Sequence, residues 1–271
     1  MKFEKHIEYR PSKQIWRIII TDDESVVIEK RDTSDKQVYF DSFELESNQV
    51  IFSNLQLDEK FWIGIEKVYK GVILFHKYSK PDMPGHKEII AYDIKSGKIL
   101  WRNEDYAYLF VHDEKVYCYK QQFEGRNFFT LDYLSGELIE ELGNDTQKVN
   151  SIYDMAREKE SYKDYIFPET IESKNEKVTE IIKELKSNLA IVDQVEYNIY
   201  GNYLFASYHT KAFENSMINR FSVIDLDSGK ETFTEVLSPN TASLMTDSFF
   251  VYKNFLFLLK GKDELLIYKI V

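Results

Sequence analysis

Ala91-Tyr-Asp-Ile-Lys-Ser-Gly-Lys-Ile-Leu-Trp101 reads as a strand ending in an acid, a tight turn on Ser-Gly, and a second strand. The phrase recurs at Thr130-Leu-Asp-Tyr-Leu-Ser-Gly-Glu-Leu-Ile-Glu140 and at Val223-Ile-Asp-Leu-Asp-Ser-Gly-Lys-Glu-Thr-Phe233. A fourth copy, Ser42-Phe-Glu-Leu-Glu-Ser-Asn-Gln-Val-Ile-Phe52, carries Ser-Asn at the turn. Short hairpin loops need a residue that tolerates positive φ, because only then does the turn match the twist of its strands. Gly97, Gly136 and Gly229 supply it, and Asn48 is the usual substitute. The acid four positions earlier (Asp93, Asp132, Asp225 or Glu44) is placed to accept hydrogen bonds from turn amides. Each acid belongs to its own turn, so these carboxylates are read as turn caps, not as a shared metal or catalytic set.

Copies of one hairpin predict an architecture of repeats. Asn48 to Gly97 and Gly97 to Gly136 each span about 40–50 residues, the length of a four-stranded propeller blade. The gap from Gly136 to Gly229 is about twice that and holds something more. The expected fold is therefore all-β: a single β-propeller domain over 1–271, with five four-stranded blades at about 18–57, 58–103, 104–145, 191–238 and 239–271. Inner strands such as Gly71-Val-Ile-Leu-Phe-His-Lys-Tyr78 are apolar without alternation, which suits burial on both faces. A polar loop with Pro81, Pro84 and Gly85 follows that strand. The last blade is one strand short at Val271. Pro11-Ser-Lys-Gln-Ile-Trp-Arg17 matches Ser96-Gly-Lys-Ile-Leu-Trp-Arg102 at Ser, Lys, Trp and Arg, so this amino-terminal segment is expected to close the ring. Residues 1–10 have no assignment.

The long gap reads as a helical insertion at about 146–190, with a concealed sixth blade as the alternative. Asn150–Glu160 has helical character, with Asn150 or Ser151 as cap. In Lys174–Leu189, the residues Val178, Ile181, Ile182, Leu185 and Leu189 form one helical stripe. Tyr165-Ile-Phe-Pro168, between the two helices, is too short for a blade. The stripe is expected to pack against the propeller's own rim or the other short helix, with docking on a partner or a second copy as the alternative.

A formal charge of −11 argues against nucleic acid, which needs a basic face to neutralise phosphates, and it disfavours an anionic membrane surface. Nineteen Tyr and nineteen Phe suit stacked sheets. The segment Met1-Lys-Phe-Glu-Lys-His-Ile-Glu-Tyr-Arg10 has no apolar signal core, and no apolar run of about 18 residues occurs. The expected location is cytoplasmic. Cys118 is the single cysteine, in a strand-like setting that predicts a small buried residue with no disulfide.

The Asp–Gly–Trp pattern of Ala91–Trp101 resembles the repeat of quinoprotein-type β-propellers. The likeness is good there, partial at 130–140 and 223–233, and weak at 42–52. That repeat serves enzymes, assembly factors and binding platforms alike, so the resemblance implies a fold and no activity. Quinoprotein dehydrogenases are exported, larger and often carry adjacent cysteines, which this chain lacks. The sequence also looks like an uncharacterised bacterial family known only as a domain of unknown function.

His6, His76, His86, His112 and His209 show no metal-ligand spacing, and one cysteine cannot build a thiolate zinc site. His76 and His209 sit in similar second strands; they read as strand-end histidines satisfied by backbone or water, with neighbours in one blade layer as the alternative. No phosphate loop, nucleophile elbow or kinase signature occurs. Asp22-Asp23-Glu24 and Asp263-Glu264 read as solvated loop acids. The sequence therefore assigns no catalytic residue, no metal ligand, no binding residue and no cofactor. It supports a non-enzymatic binding or interaction scaffold for a protein partner or small ligand. The alternative is a propeller glycoside hydrolase or lyase with carboxylates at the channel mouth.

Overall fold

The repeat turns close as their residues require. Gly97, Gly136, Gly229 and Asn48 hold φ of 67°, 70°, 67° and 58°. Their amides donate to the carbonyls of Asp93, Asp132, Asp225 and Glu44 at 2.8–3.0 Å. Oδ1 of Asp132 accepts the amides of Leu134 and Ser135, and Oδ1 of Asp225 accepts those of Asp227 and Ser228. Asp93 takes the Ser96 amide at 2.6 Å, while the longer Glu44 takes the Ser47 hydroxyl. At Gly136 there is a second constraint: an added Cβ would lie 2.5 Å from the Trp101 ring. That indole is buried and donates Nε1–H to the Tyr133 carbonyl at 3.0 Å.

The computed structural model describes residues 1–80, 83–159, 162–170, 175–212 and 216–271. Among them the chain forms β1 (Phe3–Tyr9) and then three antiparallel sheets in succession. The first holds β2 (Gln14–Ile20), β3 (Ser25–Asp32), β4 (Gln37–Glu44) and β5 (Val50–Leu55). The second holds β6 (Ile63–Tyr69), β7 (Val72–Lys80), β8 (Met83–Asp93) and β9 (Lys98–Asn103). The third holds β10 (Ala107–His112), β11 (Lys115–Gln122), β12 (Gly125–Asp132) and β13 (Leu138–Gly143). Next come α1 (Thr146–Lys159), the short β14 (Tyr165–Ile166) and α2 (Glu176–Asn188). A fourth sheet takes β15 (Ile191–Tyr200), β16 (Tyr203–Lys211), β17 (Met217–Asp225) and β18 (Glu231–Thr241). The fifth takes β19 (Phe249–Tyr252), β20 (Phe255–Lys260) and β21 (Glu264–Ile270), in the order β1-β21-β20-β19-β14. The protein is thus all-β in its main body, with five sheets of four or five strands.

The chain groups into two compact units, Lys13–Ser161 and Met1–Ser12 with Tyr162–Val271. In the first, β7 explains how the sheets stack. Ile73 and Phe75 join Val27, Phe40, Ile63 and Ile90 in one core, while Val72 and Leu74 join Ala91, Trp101, Val116 and Leu131 in another. Successive residues of a strand point to opposite faces, so an unbroken apolar run is what a sheet needs when both its faces are covered. Cys118 lies in the second of these cores, and burial pushes its thiol pKa up to about 12. It is a packing residue there, as its sequence setting predicts. α1 covers the far side of the third sheet, with Val149 packed on Phe110, Tyr117 and Phe128.

In the other unit, Phe205 faces the core of the fifth sheet, where Phe249, Val251 and Leu258 lie. Leu204, Ala206 and Tyr208 face α2. The predicted stripe is covered: Val178 is 0% exposed, and Ile181, Ile182, Leu185 and Leu189 pack on the same cluster. The stripe packs on the protein's own sheet.

Several boundaries differ from expectation. An amino-terminal strand does complete the last sheet, but it is β1, paired antiparallel to β21 from Phe3↔Ile270 to Tyr9↔Leu265. The Trp16 segment is instead the first strand of the first sheet. Trp101 is buried, whereas Trp16 sits at a bulge between Ile15 and Arg17 and is 59% exposed, so the four-residue likeness is not a structural one. The first helix starts at Thr146, because Asp145 Oδ1 accepts the Lys148 amide and caps it four residues upstream of the expected start. The second is capped by Asn175. Glu160 and Lys174, at the expected helix ends, and Pro81 lie outside the described residues. Tyr165 and Ile166 add an edge strand to β19, making the fifth sheet five-stranded.

Candidate functional site

β6 is an edge strand of the second sheet, and its outward carbonyls are held by arginines. Arg17 donates to the Ile65 carbonyl, and Arg31 to that of Ile63 at 2.7 Å and, just before the strand, to that of Phe61 at 3.2 Å. The Arg31 guanidinium also meets Glu29 at 2.7 Å and lies against the rings of Trp16 and Phe61. This clamp fixes the strand that carries Glu66. Pairing passes from Ile65↔Phe75 to Lys67↔Leu74, so Glu66 is the extra residue of a β-bulge. Bulges re-aim a side chain locally. The third sheet has the same bulge at Leu109, between Tyr108↔Cys118 and Phe110↔Tyr117. The bulge therefore belongs to the repeat, and the glutamate is particular to this sheet.

His76 on β7 lies opposite Gly64, and His86 on β8 lies opposite Tyr78. Residues 76 and 78 share a face, so the hairpin register brings the two imidazoles together. Their rings stack 3.6 Å apart at 6°, and Tyr78 meets both edge-on. Glu66 Oε1 lies 2.6 Å from His86 Nδ1 and 3.1 Å from His76 Nδ1. Burial alone would push the Glu66 carboxyl pKa up, but the two imidazoles on its oxygen outweigh this and hold it below the usual value. His76 is 3% exposed; its Nδ1 faces the Glu66 carboxylate, and its Nε2 is buried without a hydrogen-bond partner. Gly64 makes room for it, since a Cβ there would stand 3.0 Å from His76 Cε1.

The next residue along β7 carries a different chemistry. Lys77 Nζ meets Glu88 at 2.9 Å and Asp58 at 3.0 Å, and Arg102 meets Asp58 at 3.0 Å. In the first sheet Lys30 pairs with Asp41 at 2.6 Å. Glu29, Asp41 and Glu88 are thus each matched to a cation.

The other unit has a cavity of about 220 Å³ lined by Asp193, Gln194, Glu196, Ser207, His209 and Met245 among others. His209 Nε2 accepts the Met245 amide at 3.0 Å, and burial pushes its pKa down against the pull of Asp193. Glu196 accepts the Asp247 amide at 3.0 Å, and burial pushes its carboxyl up. His76 and His209 belong to different units and sit four and six residues into their strands, so they are not equivalent positions. His112 lies 3.3 Å from Asp113 at the end of β10. Sequence spacing leaves Glu66 unmarked and gives His86, like His76, no metal-ligand pattern. Linear spacing omits strand register, and only pairing β6 with β7 and β7 with β8 makes 66, 76 and 86 neighbours.

Residues 19–101 match the model of a family described as a domain of unknown function, DUF4905. The matched segment contains Glu66, His76 and His86. No curated protein matches the sequence. Among solved structures, the uncharacterised protein lmo1340 from Listeria monocytogenes EGD-e is 10% identical, with a TM-score of 0.34 over 99% of this chain and 82% of that one. A structure titled as the eukaryotic initiation factor is 7% identical, with a TM-score of 0.35 over 89% of this chain and 57% of that one. Neither likeness bears on fold or function. Among the described residues, no helix is long and apolar enough to cross a membrane.

Proposed function

We propose that the five sheets are the blades of a quinoprotein-like β-propeller, and that the protein is a cytoplasmic, non-enzymatic binding scaffold. Its ligand or partner seat is the face of the second sheet around Glu66, His76 and His86. The observation that carries the reading is β7, whose alternate residues feed two separate cores. A sheet sandwiched in this way between its neighbours in sequence is packed as a blade is. The matched charges of Glu29, Asp41 and Glu88 support a scaffold rather than a pair of working carboxylates.

Solution X-ray scattering tests the architecture. A compact ring of five blades is expected, and an elongated two-lobed envelope would overturn it. One observation favours the second reading, glycoside hydrolysis: Glu196, raised by burial, lines a cavity with Asp193. A raised carboxyl is the form a general acid takes, and a second carboxylate about 5–10 Å away would complete the pair. The scaffold reading expects no release of reducing sugar from a glycan panel. Turnover that disappears in Glu196→Gln would replace it with hydrolysis.

A further inference from the structure

The geometry points to Glu66, His76 and His86 as a site for a divalent first-row transition metal ion, zinc or a close analogue, bound by two imidazole nitrogens and one carboxylate oxygen. The inference rests on the scaffold reading's choice of seat and names its ligand. One donor atom from each residue falls within 4.8 Å of the other two, the compactness a shared ion demands. His76 is the second, independent sign. It is buried, its Nδ1 stands 3.1 Å from the carboxylate, and its Nε2 has no hydrogen-bond partner. A polar atom kept dry without a partner is disfavoured, and a metal bond at that nitrogen satisfies it.

The donor set selects the ion. Imidazole with carboxylate suits zinc, cobalt, nickel or copper, whereas calcium and magnesium take oxygen ligands. Three protein ligands leave a position for water or an incoming group, as at open zinc sites. The supports are in place: the arginine clamp on β6, the bulge at Glu66, the space above Gly64 and the Tyr78 ring. His86 is about one-third exposed and gives the ion its way in. A metal lies in the plane of each imidazole that binds it, so the parallel rings must fan apart on loading. His86 is the ring with room to turn.

The full-length protein, treated with chelator and dialysed, is titrated with zinc by calorimetry and with cobalt by visible absorption at neutral pH. One-to-one binding with Kd below about 10 µM is expected. Histidine resonances in NMR spectra should show two imidazoles shifting together. His86→Ala, at a partly exposed position, and Glu66→Gln should each weaken zinc more than about tenfold while circular dichroism stays unchanged. His112→Ala should leave affinity as it was. Absence of binding at about 1 mM zinc, or equal affinity in wild type and His86→Ala, would overturn the site. Scattering tests the propeller and titration tests the ion, so either can fail alone.

Discussion

At the scale of single residues, the repeat turns separate two costs of replacing glycine. Gly229 and Gly136 share the same positive φ, but nothing lies within 4 Å of a Cβ at Gly229, while Trp101 blocks one at Gly136. Gly229→Ala should cost about 1 kcal/mol for the backbone alone. Gly136→Ala adds overpacking against a buried indole and should cost about 2–4 kcal/mol. Urea denaturation measures both; equal losses would mean that Trp101 yields freely. The acids of these turns also set a pH response. Turn amides, that of Ser135 first at Asp132 and that of Ser228 first at Asp225, hold both carboxyls below their usual pKa. A carboxyl whose pKa is lower in the folded state stabilises the fold fully above its unfolded pKa of about 4, and that contribution disappears as pH falls through the folded value. Wild type should therefore lose stability between about pH 5 and pH 2 more steeply than the Asp132→Asn, Asp225→Asn double variant. Parallel curves would show that the turn amides do not distinguish charged from neutral side chains.

At the scale of elements, β1 and α2 finish sheets in different ways. β1 pairs with β21, buries Ile7, and lays Phe3 against Phe205 and Phe233. Removing residues 1–9 bares the β21 edge, so aggregation or a loss of cooperative melting is expected. An unchanged melting curve would make β1 dispensable. α2 covers the sheet face bearing Leu204, Ala206 and Tyr208. Val178→Asp places an unpaired charge there and should cost on the order of 3 kcal/mol, read from thermal or urea unfolding. The stripe was legible in sequence because five apolar residues at helical spacing state both helix and buried face. β1 was not, because only Ile7 of its seven residues is buried and an edge strand leaves a faint pattern. Trp16 misled for the opposite reason: its neighbours copy those of Trp101 in type, but a bulge turns its side chain outward. The histidine cluster stayed hidden because strand register, not spacing, assembles it.

For the whole molecule, the charge of −11 is the dominant long-range property. Self-repulsion opposes compaction and salt screens it over about 8–10 Å at physiological strength. The melting temperature should therefore rise by a few degrees between about 10 mM and about 300 mM sodium chloride. A fall would mean that favourable ion pairs such as Lys77 with Glu88 outweigh the net charge. The same field should keep the protein off duplex DNA at about 150 mM salt in a mobility-shift experiment, and retention there would reveal a basic face that the total charge conceals.

Cys118 turns the core of one unit into a clock. Its thiol is the sole sulfhydryl in the chain, is shut away between sheets, and stays protonated at any physiological pH. An alkylating reagent can reach it only during an opening event. When reclosing is fast, the labelling rate is the opening equilibrium multiplied by the rate for a free thiol. Mass spectrometry of intact protein over time would thus read the opening free energy of the Lys13–Ser161 unit in native buffer, with no probe to install.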